Sequence, residues 1–143
     1  MRIRRDLPIV LTLINVCVIS ASGCGGGSQR QAVEGLVTLD DIPLAKGSIS
    51  FQPQSGSPGP SAGAEIVDGR FAIPYAQGPF VGKFRVEITA SRPSGRKVAD
   101  RFSGQPIDEY VQYLPTKYNT QSKLTVEVKT DGVNHFDFPL VSK

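Results

Sequence analysis

The sequence predicts an all-β domain, an antiparallel β-sandwich of about seven short strands, preceded by an export signal. Three observations predict it. Apolar and polar residues alternate with period two, most clearly Phe84, Val86 and Ile88 against Lys83, Arg85, Glu87 and Thr89. Gly and Pro number 15 and 11, about 18% of the 143 residues, against roughly 12% in average usage. Turn signals recur at roughly ten-residue spacing, and no long helical period interrupts them.

Residues 1–23 read as a signal peptide. Arg2, Arg4 and Arg5 supply the positive start, and Leu7 to Ile19 is apolar but for Thr12 and Asn15. That run is too short for the roughly 20 residues of a membrane-spanning helix. Ala21-Ser22-Gly23 then precede Cys24. Small residues directly before a cysteine resemble the lipobox of bacterial lipoproteins, although Ala21 stands where those usually carry Leu. The resemblance implies cleavage before Cys24 and lipid on its thiol. Cys17 would leave with the signal, so the mature chain would have no disulfide despite export to an oxidising compartment. Residues 24–32, led by Gly25-Gly26-Gly27, are expected to form a flexible tether, and residues 33–143 the folded domain.

The strands follow in order. Val33 to Leu39 is rich in β-branched and apolar residues and ends at Asp40-Asp41-Ile42-Pro43, a turn signal. Gly47 to Gln52 alternates, with Ile49 and Phe51 on one face, and stops at Pro53. Residues 53–61 are almost wholly turn formers. Ala62 to Val67 and Arg70 to Ile73 flank Asp68-Gly69, a tight hairpin turn. Another turn falls at Gln77-Gly78-Pro79, before the strand Lys83 to Ala90. Leu124 to Val128 and Asn134 to Leu140 close the chain around a turn at Asp131-Gly132.

The run Gly35 to Leu44 is similar to the start of carboxypeptidase regulatory-like, or transthyretin-like (prealbumin-like), sandwich domains, with Asp41 where they usually carry Gly. Asp68 to Ile73 and Gly82 to Ala90 resemble their following hairpin and strand. The whole resembles small lipoproteins of this type from planctomycete bacteria. These motifs imply a fold far more than an activity.

Residues 91–123 break the rhythm and read as a long irregular stretch. Arg92, Arg96, Lys97 and Arg101 form a basic cluster, followed by Asp108, Glu109, Tyr110, Tyr113, Lys117 and Tyr118. Tyrosines beside carboxylates and a lysine are a candidate binding surface for polysaccharide or protein. The plainer expectation is that Tyr113 and Tyr118 cover a sheet edge while Asp108 and Glu109 pair with the bases.

Composition argues against several functions. Of 16 basic and 13 acidic side chains, three arginines and Asp6 belong to the signal, which leaves 13 and 12. A domain of net charge +1 with no basic stripe is a poor nucleic-acid binder. The single histidine, His135, has no G-x-S-x-G elbow to serve, and transthyretin-like hydrolases need several histidines. Asp40-Asp41 lacks the spacing of a calcium loop, so no metal or cofactor is expected. A Lys–Asn isopeptide bond would need a lysine in Val33 to Leu39, where there is none. The sequence therefore points to a non-catalytic envelope protein, held at a membrane by lipid on Cys24, that binds or supports an envelope protein or polysaccharide. A hydrolase using His135 is the remote alternative.

Overall fold

The alternating runs become strands in the computed structural model, which describes residues 29–130 and 134–143. The signal peptide, Cys24, the Gly-rich part of the tether and the turn expected at Asp131-Gly132 lie outside the described residues. In chain order the strands are β1 (Val33–Leu39), β2 (Ile42–Pro43), β3 (Lys46–Pro53), β4 (Ala62–Val67), β5 (Arg70–Ile73), β6 (Gly82–Thr89), β7 (Ser91–Ala99), β8 (Pro106–Gln112), β9 (Leu124–Val128) and β10 (Asn134–Leu140). Single 3-10 turns lie at Tyr75–Gln77 and Thr116–Tyr118. Among the described residues no helix is long and apolar enough to cross a membrane.

Neighbouring strands run in the order β10-β1-β5-β4-β3-β6-β9, with β2 added to β1. The fold is the expected all-β sandwich, and its corner is the β4–β5 hairpin. Asp68 and Gly69 both have positive φ, 50° and 77°, as a two-residue hairpin turn of type I′ requires. These strands are in register at only one pair, Val67 and Arg70, and then diverge into two layers. One layer is β10-β1-β5; the other is β4-β3-β6-β9.

Phe51 shows how the layers meet. On a flat sheet β3 and β10 would lie four strand spacings apart, about 19 Å. Instead the Phe51 ring sits 6.4 Å from Phe136 on β10 and 6.1 Å from Phe71 on β5. Ile49, Ile66, Phe84, Val86 and Ile88 are fully buried beside it. Gly35 leaves room for this packing on the core side of β1. A Cβ there would collide with the Phe136 carbonyl and come within 2.9 Å of the Phe71 ring.

Three features depart from the sequence reading. β10 pairs with β1 in parallel, from Val33 opposite Asn134 to Leu39 opposite Leu140, although every other pairing of named strands is antiparallel. The first and last strands share no hairpin, so no short connection dictates their direction. The expected tether also ends early. Arg30 bridges to Phe80, its guanidinium donates to the Gly78 carbonyl at 2.9 Å, and the Gln31 amide donates to the Pro79 carbonyl at 2.8 Å. Finally, residues 91–112 are no loop: β7 and β8 form a separate two-stranded ribbon.

Buried and exposed phenylalanines should behave oppositely in denaturant. Phe51→Ala is expected to cost about 3–5 kcal/mol of unfolding free energy, as large-to-small core changes do. Phe102→Ala, at the ribbon tip, should stay within about 0.5 kcal/mol. Equal losses would contradict this core.

Candidate functional site

The ribbon grows out of β6. After Thr89 only Ala90 intervenes before β7, and the return strand β8 ends at Gln112. The Gln112 side-chain carbonyl accepts from the amides of Ala90 (2.9 Å) and Leu114 (3.2 Å), while the Tyr113 amide donates to the Ala90 carbonyl. These bonds tie both legs of the ribbon to the sandwich. Beyond this root the strands pair with each other, with an irregularity between Pro93 and Lys97.

The tip is a turn organised by Asp100. One of its carboxylate oxygens accepts from the Ser103 amide (2.7 Å), the Ser103 hydroxyl (2.7 Å) and the Phe102 amide (3.1 Å). Those bonds, Ser103's first, hold the Asp100 carboxyl below its ordinary value of 3.8. The turn lifts Phe102 into solvent, 96% exposed, beside Arg101. Val98, Ile107, Tyr110 and Val111 are also exposed along the ribbon.

The six candidate residues divide into two groups. Asp108, Glu109 and Tyr110 lie on β8. Asp108 pairs with Lys97 at 3.2 Å; Glu109 pairs with Arg96 at 3.2 Å and accepts from the Ser94 hydroxyl at 2.6 Å. These are exposed or half-exposed ion pairs, each contributing at most about 1 kcal/mol. Tyr110, 64% exposed, borders a cleft of about 340 Å³ with Lys46, Ser48, Glu65, Thr89 and Ser91.

The second group closes the end of the core. Tyr113 packs against it half-buried, with the Arg92 guanidinium 5.5 Å from its ring centre. Tyr118 is 8% exposed, and its hydroxyl accepts from the Val141 amide at 2.9 Å. Lys117 stacks over the Tyr118 ring and donates to the Lys143 carbonyl at 2.6 Å. Tyr113 and Tyr118 thus serve packing, and Tyr110 alone of the three presents its ring to solvent.

His135 stands elsewhere, on the outer face of β10. Its Nε2 lies 3.0 Å from Asp137 and its Nδ1 3.6 Å from Glu34, all three side chains being exposed. The adjoining hollow of about 330 Å³ is lined by Leu36, Val67, Arg70 and Ala72 among others, with no serine, threonine or cysteine. The ring is oriented by two carboxylates but is offered no nucleophile. Asn134 is likewise engaged: its side chain bonds the amide and carbonyl of Lys129, closing the connection from β9. The Asp40 carboxylate accepts from the Ser142 amide at 3.0 Å, a turn role that leaves Asp41 beside it at φ 66°. Among the described residues no three metal-ligating side chains converge.

The Asp100 carboxylate ties the tip turn to pH. Its carboxyl is held low, so its contribution to the turn is complete above the ordinary carboxylate value and lost as pH falls through the lowered one. The Phe102 and Ser103 amide resonances should therefore titrate with a midpoint below 3.8. Asp100→Asn should abolish that titration; an unchanged curve in the variant would assign the midpoint to another group.

No family model and no curated protein matches this chain. Among solved structures, the crystal structure of a 9R-lipoxygenase from Cyanothece PCC8801 is similar at 18% identity and a TM-score of 0.38. The match covers 79% of this chain and 16% of that one, so this chain spans about a sixth of that protein's length. A likeness this low carries no argument about activity.

Proposed function

We propose that the chain is a non-catalytic binding module of the cell envelope: a carboxypeptidase regulatory-like sandwich, anchored by lipid on Cys24, that presents the β7–β8 ribbon to a partner. The observation that carries the reading is the ribbon itself. Isolated two-stranded hairpins are marginal in water, yet this one holds Val98, Phe102, Ile107 and Val111 in solvent. Apolar side chains grouped on a projecting element are the composition of a contact surface.

The anchor reading is supported by the order of charges, apolar run, small residues and Cys24. More than one acyl chain would make the attachment stable, since each buried methylene contributes about 0.8 kcal/mol. The chain enters the sandwich beside Phe80, before β6, and the ribbon leaves after β6. An anchor at Cys24 would therefore hold the entry end near the membrane and set the ribbon root one strand length further out, about 27 Å.

Intact mass of the protein extracted from its membrane tests the anchor. A chain beginning at Cys24 with added acyl mass is expected, and Cys24→Ser should release the protein. A bare chain cut near Ala21 would overturn the anchor.

A second reading, polysaccharide binding, is favoured by one feature. Tyr110 stands beside the Ser48 and Thr89 hydroxyls, themselves 2.7 Å apart, with Lys46 and Glu65 near them. An aromatic face with hydroxyl and charged groups suits a sugar ring. Tyr110→Ala should then abolish retention on envelope polysaccharide without changing stability. Retention equal to that of the unmodified chain would remove this reading.

A further inference from the structure

We propose that the entry end of the sandwich is itself a membrane-docking face, whose partner is the phospholipid surface that holds the anchor; this rests on the reading of Cys24 as lipidated. Strand register decides which loops share that end. Val33 stands opposite Asn134 and Ile73, Gly82 opposite Val128, and Phe51 opposite Ala62. The described segments that gather there are therefore 29–32, 54–61, 74–81 and 129–130. Their charged residues are Arg30 and Lys129, both basic; Asp131, outside the described residues, adds one acid. The opposite end differs, mixing Asp40, Asp41 and Asp68 with Lys117 and Lys143.

The surface these loops present suits a headgroup layer. Pro58, Pro60, Pro74 and Tyr75 are exposed, Tyr75 at 57%. An apolar hollow of about 510 Å³ adjoins Tyr75, lined by Ala32, Val33, Ile73 and Pro74, with Glu34 its single charged group. Tyrosine rings and basic side chains with long aliphatic stems settle where apolar and aqueous phases meet. The face also holds its shape before it meets lipid. The Phe80 ring has the Arg30 guanidinium 5.1 Å from its centre, and a Cβ on Gly59 would collide with the same ring. Loop 54–61 is fixed in turn by Ser57, whose hydroxyl bonds both the amide and the carbonyl of Lys83 at 2.8 Å.

The length of chain before the domain selects this occupant. Only six residues lead from Cys24 to Arg30, a reach of at most about 20 Å. An anchor at Cys24 makes contact with the bilayer intramolecular, so a face too small to capture lipid from solution is still occupied. The opposite end lies about 27 Å further out and lacks that access. Docking through Tyr75 and the basic pair fixes the tilt of the sandwich, where a tether alone would fix only its distance.

Because the chain has no tryptophan, one introduced indole reports depth in the bilayer. The probe is a phosphatidylcholine–phosphatidylglycerol vesicle with brominated acyl chains, carrying the full protein extracted from its membrane. Tyr75→Trp should be quenched about three-fold more strongly than Tyr110→Trp, which sits by Lys46 and Thr89 at the other end. Inserting about twenty Gly and Ser residues after Gly27 lengthens the tether and separates docking from mere nearness. At least about half of the quenching at position 75 should survive that insertion. Equal quenching at 75 and 110, or a fall at 75 to the level of 110 in the long-tether chain, overturns the docking face; co-flotation with the vesicles then leaves the anchor standing. A chain that does not float with the vesicles overturns the anchor and the face together.

Discussion

The position of the Phe51 ring, between Phe71 and Phe136, is the constraint from which the rest of the sandwich follows. It joins residues from three strands that no flat sheet could bring together, so it exists only if the chain turns the corner at Asp68-Gly69. It also requires that β1 carry no side chain at Gly35, where the Phe136 backbone and the Phe71 ring already occupy the space. Both cysteines precede residue 29, so no disulfide braces the described domain. Interior packing must hold it, at a size for which a single core suffices.

The strands that bury one face were legible, because burial on one side imposes period two on the residues. β3, β4, β5, β6, β9 and β10 fall where alternation and turn residues place them, within a residue or two. The ribbon was illegible for the same reason. Both of its faces meet water for most of their length, so Ser91 to Ala99 carries no alternation, and Pro93 and Gly95 read as breakers. The parallel pairing of β10 with β1 was equally hidden, since strand direction across a whole domain leaves no mark on local pattern. At Asp41 the sequence held a subtler signal. Its φ of 66° is the conformation glycine takes most easily, and Asp is among the few L-residues that tolerate it.

The candidate site was legible as a composition and not as a place. Six residues between Asp108 and Tyr118 suggested one surface, but β8 ends at Gln112 and divides them. Up to that point the side chains belong to the ribbon; beyond it Tyr113 and Tyr118 turn inward to cap the core. Nothing in the spacing of three tyrosines distinguishes a ring that packs from one that faces solvent. The distinction arises from Gln112, whose side-chain carbonyl takes the amides on both sides of the root and so fixes where the ribbon stops.

A ribbon of this kind has a cost that the sandwich does not. Its apolar side chains recover little of the hydrophobic stabilisation they would gain in a core, and its ion pairs are too exposed to replace it. What keeps it ordered is local: the Asp100 turn at one end, the Gln112 clasp at the other, and the ladder between them. Each of these bonds orders backbone and leaves the apolar face unoccupied. The element is thus shaped in advance of any contact, so a partner that covers Val98, Ile107 and Val111 gains their burial without ordering a loop first. A disordered segment of the same composition would have to meet that entropic demand on binding. On the reading of the ribbon as a contact element, the turn-forming residues at the tip and the Arg96–Glu109 and Lys97–Asp108 pairs are the parts that preorganise it.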